Sequence, residues 1–150
     1  MTSSDNARRL AVLIHTALSA SIGVYAVLLL FVRSEALGTP RPAPAPARLF
    51  VILAAVGAAQ FGTATWAGRR LLRSRRAGAV ERVRLYFLLR AAAAEAIGIF
   101  GLLAGFLGAP LTHVVGLFAL SAAAMLASAP SRLAWEEAFR LAESVGTQTG

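Results

Sequence analysis

Four long apolar runs constrain this chain more than anything else in it: residues 10–32, 49–68, 85–107 and 111–128. A hydrocarbon layer ~30 Å thick calls for about 20 mainly apolar residues wound as helix at 1.5 Å per residue. The fourth run is the shortest and extends through Ala109 and Ala129. Mean hydropathy is +0.67 and charged residues make up 15% of the chain, against about 25% in ordinary soluble domains. Backbone amides in lipid must pair within their own segment, which leaves helices as the way for such runs to cross. The expected fold is therefore all-α: one domain over residues 1–150, with four transmembrane helices and a short interfacial helix near the C-terminus. The first run exceeds the about 7–15 apolar residues of a signal peptide and is kept as a span.

Orientation follows from the arginines, fifteen of them with no lysine beside them. Arg8, Arg9, Arg69, Arg70, Arg73, Arg75, Arg76, Arg82, Arg84, Arg132 and Arg140 flank the runs on one side; only Arg33, Arg41 and Arg48 flank them on the other. The positive-inside rule then predicts a multi-pass inner-membrane protein with both termini and the loop 69–84 in the cytoplasm. In that loop Arg69, Arg70, Arg73, Arg75 and Arg76 are candidates for anionic lipid headgroups. Because the basic residues cluster between apolar runs, nucleic acid is not the expected partner despite a formal charge of +8. The lipid bilayer is, together with a second copy or another membrane subunit.

The connections differ in kind. The outer loop 33–48 carries alternating prolines at 40, 42, 44 and 46, which favour an extended, stiff spacer. Gly108-Ala109-Pro110 is a tight turn that makes the third and fourth helices antiparallel neighbours. The tail 131–150 begins with Ser131, suited to cap a helix running to about Glu143. Trp66 and Trp135 are expected at the membrane interface, where indoles concentrate.

Residues 22–31 align without gaps on residues 97–106, a shift of 75 that is also half the chain length. The match suggests a duplicated two-helix hairpin, with His15 opposite Arg90 and Ala20 opposite Glu95. The third run also carries Ala91, Ala94, Gly98, Gly101, Gly105 and Gly108 at intervals of three and four. One helix face is thus nearly free of side chains, which allows the close backbone approach that joins helices in lipid.

Glu95 is the only acidic residue within a run and falls near the bilayer centre. An ionised carboxylate there costs at least ~2.5 kcal/mol, so it should be neutral, paired, or turned to a polar cavity. Gln60, Thr63, Ser19, Ser21 and Ser121 fall at matching depth on the other runs. They are expected to form a polar layer with Glu95, able to satisfy a neutral carboxyl or to complete an oxygen cage for a small cation. Arg90 stands about 140° around the helix from Glu95 and is expected to snorkel to headgroups. There is no cysteine, no metal-ligand cluster, no phosphate-cradling glycine loop and no nucleophile beside a base. No catalytic residue, cofactor or metal is expected, and the chain does not read as an enzyme.

Val56-Gly57-Ala58-Ala59-Gln60-Phe61-Gly62, an Arg-rich loop, and Ala93-Ala94-Glu95-Ala96-Ile97-Gly98-Ile99-Phe100-Gly101-Leu102-Leu103 resemble the proteolipid hairpin of rotary ATP synthases and ATPases. The resemblance covers the second and third runs and implies that Glu95 takes up H⁺ or Na⁺, with Gln60 assisting. The residues themselves point first to a structural or accessory membrane subunit organised around the polar layer. An ion-binding or ion-translocating subunit centred on Glu95 is the alternative, and a small cation or drug transporter a further one.

Overall fold

A computed structural model describes residues 3–35, 47–74 and 77–144. They form five helices: α1 (Ser3–Glu35), α2 (Ala47–Leu72), α3 (Ala79–Phe106), α4 (Leu111–Ala127) and α5 (Arg132–Ser144), with no strand among the described residues. The alternating-proline segment and the headgroup candidates Arg75 and Arg76 lie outside the described residues.

Three helices, α1, α2 and α3, are long and apolar enough to cross a membrane. α4 has 17 residues and falls short alone; with α5 it makes a fourth candidate span, broken by a bend of 62°. The expected fourth helix is thus half of a broken pair. Pro130 explains the break, since it lacks an amide donor and disfavours helix at the residue before it. α5 then starts on a side-chain cap, with Ser131 Oγ accepting from the Ala134 amide at 3.2 Å.

α3 is the hub. From Ala91 to Phe106 it is apolar on every face apart from Glu95, as suits a helix that neighbours cover from several sides, and α1, α2, α4 and α5 all pack on it. α1 runs parallel to it, with Ile22 beside Gly98 and Leu29 beside Gly105. α2 runs antiparallel, with Gly57 on Ile97 and Gly68 on Tyr86. α4 is antiparallel as well, bringing Ser121 to Gly98 and Leu117 to Gly101. A Cβ at Gly101 would lie 3.3 Å from Leu117 and the Phe118 ring, and one at Gly105 would lie 2.5 Å from Leu29. A side chain at Gly101 therefore requires Leu117 and Phe118 to shift, and one at Gly105 requires the end of the Leu29 side chain to move.

Ala91, Ala94, Gly98, Gly101 and Gly105 are all buried on α3. Gly108 differs: it lies beyond the helix with φ 77°. Its amide bonds the Gly105 carbonyl at 3.2 Å and the Ala109 amide bonds the Ala104 carbonyl at 2.9 Å. That pairing is a Schellman helix end, which needs a left-handed residue and favours glycine. Gly108 therefore turns the chain instead of packing the helix.

Two apolar clusters fill the bundle. The larger joins Leu29, Ala94, Ile97, Ala104, Val114 and Leu117 along its length. The second joins Ala11, Leu72, Val83, Phe87, Trp135 and Ala138 at the Arg-rich end. α5 is amphipathic, burying Trp135, Ala138 and Ala142 and exposing Glu136, Glu137 and Arg140. Trp135 is stacked on Phe87 and only 3% exposed, so its indole is a core group and not the interfacial anchor expected of it. Trp66 remains exposed under the Arg70 guanidinium, 4.1 Å from the ring centre.

Candidate functional site

Glu95 lies half-buried on α3 facing α1. Ser21 Oγ stands 2.7 Å and the Tyr25 hydroxyl 3.0 Å from the same carboxylate oxygen, Oε1. The parallel register of α1 and α3 produces this meeting, because Ser21 and Tyr25 are one helical turn apart and share a face. Ser21 Oγ is also 2.7 Å from the Leu18 carbonyl. One hydroxyl has one proton, so the two contacts alternate. An ionised Glu95 accepts from both Ser21 and Tyr25. A protonated Glu95 can donate to Ser21 Oγ while Ser21 donates to Leu18. The cluster accommodates either state without a rotamer change.

The other members of the expected polar layer are elsewhere. Gln60 and Thr63 are exposed on α2, because the seam against α3 is set by the buried residues Gly57, Ala64 and Gly68. Thr63 stands about 120° from that seam and Gln60 about 60°, at its exposed margin. Ser19 donates to the His15 carbonyl of its own helix at 2.8 Å. Ser121 is fully buried and donates to the Ala94 carbonyl at 2.7 Å, joining α4 to the α3 backbone one residue from Glu95. Of the six candidates, Ser21 and Glu95 come together. Tyr25 was not foreseen; its four-residue spacing from Ser21 was the available signal, hidden because Tyr25 reads as an apolar position aligned on Phe100.

A second polar system binds side chains to helix ends. The last carbonyls of a helix have no partner within it, and α4 stops where α1 and α3 still continue. His15 Nε2 on α1 lies 3.0 Å from the Met125 carbonyl, and Arg90 on α3 donates to the Ala127 carbonyl at 2.6 Å. Arg90 also donates to the Tyr86 hydroxyl at 3.0 Å. It is thus held at the end of α4. His15 and Arg90, the two positions matched by the 75-residue shift, serve the same helix end.

Arg82 does the same at the Arg-rich end. It is 6% exposed and donates to the Leu72 and Ala142 carbonyls, each at 2.8 Å, and to the Ser74 carbonyl. One guanidinium thereby closes the C-terminal ends of both α2 and α5 onto α3. Arg33 donates to the Ala109 carbonyl at 2.5 Å, beside the C-terminal turn of α3. Positive charge at these ends also complements the helix dipoles. On the surface, Arg132 donates to Glu136 at 2.8 Å; that hydrogen bond, and next the carboxylate charge, raise the guanidinium pKa above its ordinary value.

The headgroup candidates divide. Arg69 and Arg73 are exposed and line a cavity between α2, α3 and α5, whereas Arg70 stacks on Trp66. Among the described residues no three His, Asp or Glu side chains gather as metal ligands would. No family model, curated protein or solved structure matches the chain.

Proposed function

We propose that the chain is a small integral inner-membrane protein, a structural or accessory subunit with four membrane-crossing segments, the fourth of them α4, and with α5 lying at the cytoplasmic interface. Both termini and the Arg-rich loop lie in the cytoplasm, as the arginine asymmetry favours. The reading is supported above all by the way polar groups in the apolar segments are spent on holding helices together. Glu95 is engaged by two hydroxyls of α1, and Arg90 and His15 by carbonyls of α4. Side chains so engaged fix the register of α1, α3 and α4.

One observation favours a second reading, an H⁺- or Na⁺-binding subunit. Three oxygens, from Glu95, Ser21 and Tyr25, converge and tolerate both protonation states of the acid. Carbodiimide labelling of the purified protein separates the two. Under the structural reading Glu95→Gln folds and assembles like the parent, and Na⁺ has no effect on labelling of Glu95. Labelling that Na⁺ suppresses, and that Ser21→Ala or Tyr25→Phe makes insensitive to Na⁺, would replace it with the ion-binding one. A reporter fused after Gly150 tests the orientation; periplasmic activity would reverse it.

A further inference from the structure

A cavity of about 340 Å³ opens where the last turn of α2, the first half of α3 and α5 meet. Arg69 and Arg73 line it from α2 and the residue after it, Tyr86 and Arg90 from α3, and Glu137 and Leu141 from α5. Three guanidinium groups thus face one carboxylate across a space at the lower end of the ~300–1,000 Å³ usual for small-ligand pockets. Arg90 is already positioned by Tyr86 and Ala127, and its Nε is buried without an acceptor among the described residues. The Tyr86 hydroxyl accepts from Arg90, which leaves its own proton to donate. Arg69 and Arg73 are exposed and free of ion pairs among the described residues. Guanidinium forks match phosphate oxygens and hold them by paired, charge-assisted hydrogen bonds.

We propose that this cavity binds a phosphate group, presented by an anionic phospholipid headgroup or by free phosphate. Arg69 and Arg73 supply the variable contacts, Arg90 and Tyr86 the fixed ones, and Glu137 opposes the anion and limits affinity. Basic pockets between membrane helices are known takers of such headgroups. The volume suits a headgroup and excludes acyl chains, which would remain in the bilayer. The inference rests on the membrane reading only for the source of the phosphate.

The test uses the full chain purified in micelles of dodecyl maltoside, a phosphate-free detergent, supplemented with equal amounts of phosphatidylcholine and phosphatidylglycerol. Native mass spectrometry reads lipid retention, and calorimetry with inorganic phosphate in dodecyl maltoside micelles free of lipid reads the free anion. Arg69→Gln with Arg73→Gln should weaken binding by about tenfold or more, the usual scale for losing charge-assisted contacts. Glu137→Gln should strengthen it, a change of sign that a purely structural role for α5 would not produce. Arg9→Gln and Arg140→Gln, exposed and outside the cavity, serve as charge controls. Preferential retention of phosphatidylglycerol supports the headgroup source, and phosphate binding without lipid preference supports the free one. Binding of neither ligand, an equal loss in the controls, or no gain in Glu137→Gln overturns the proposal. A chain that stays monodisperse without detergent would sink the membrane reading, while the phosphate arm would still report on the cavity.

Discussion

The two polar systems of this bundle differ in what they hold. Around Glu95, side chain meets side chain: a carboxylate and two hydroxyls, each of which another residue could replace. At the helix ends, side chain meets backbone: Arg82, Arg90 and His15 contact carbonyls that exist whatever the local sequence is. Removing Glu95 leaves Ser21 able to turn its proton to the Leu18 carbonyl, so only the Tyr25 hydroxyl loses its acceptor. Removing Arg82 or Arg90 takes the side-chain donor from carbonyls at helix ends, where an unsatisfied group is costly, whereas the Met125 carbonyl would keep the Ser128 amide and hydroxyl if His15 were lost. Arg82 and Arg90 should therefore matter more to stability than the half-buried acid does.

The contrast can be tested at its extreme first. Arg82→Leu strands the carbonyls of Leu72, Ser74 and Ala142 together, and thermal unfolding in micelles should show a loss of about 3 kcal/mol or more. Arg82→Lys should restore only part of it, because one ammonium nitrogen cannot occupy the places of both terminal guanidinium nitrogens, which serve Leu72 and Ser74 on one side and Ala142 on the other. A parent-like stability in Arg82→Leu would erase the distinction between the two systems.

Arg90→Leu should cost about 1–3 kcal/mol, and amide exchange should accelerate around Met125–Ser128. His15 serves the same helix end, so Arg90→Leu and His15→Leu combined should depart from additivity by at least about 0.5 kcal/mol. Additive losses would mean that the two do not share the end of α4.

Packing gives an intermediate case. Gly101→Leu has to displace Leu117 and Phe118 of α4 and should cost about 1–3 kcal/mol. Gly62→Ala meets nothing within 4 Å and should be neutral or stabilising by up to about 1 kcal/mol through helix propensity.

The smallest effect belongs to the acid. Glu95→Gln keeps an oxygen acceptor for Ser21 and Tyr25 and should change stability by less than about 1 kcal/mol. Glu95→Leu leaves the Tyr25 hydroxyl without its acceptor and should cost about 1–2 kcal/mol. A loss in Glu95→Gln as large as that in Arg82→Leu would reverse the order drawn above.

Much of the fold could be read from the residues. The apolar runs place α1 to α4, the small-residue face of α3 marks the hub, and Ser131 marks the start of α5. The candidate site was half legible. Glu95 stands out as the one acid in a run, and Ser21 as a polar group at its depth. Depth, however, constrains only position along the membrane normal and says nothing of rotation about each helix axis. Gln60 and Thr63 share the right depth and still face outward, because Gly57, Ala64 and Gly68 set the rotation of α2.

The sequence by itself determined that the chain is helical and apolar and that its arginines gather at one end, since these depend on residue type and on periodicity along the chain. Only the tertiary structure decided what Arg82, Arg90 and His15 are for. Their acceptors are backbone carbonyls at the ends of other helices, and every residue has such a carbonyl. No pattern of residue types can single out the few that a helix end leaves unpaired beside a particular guanidinium.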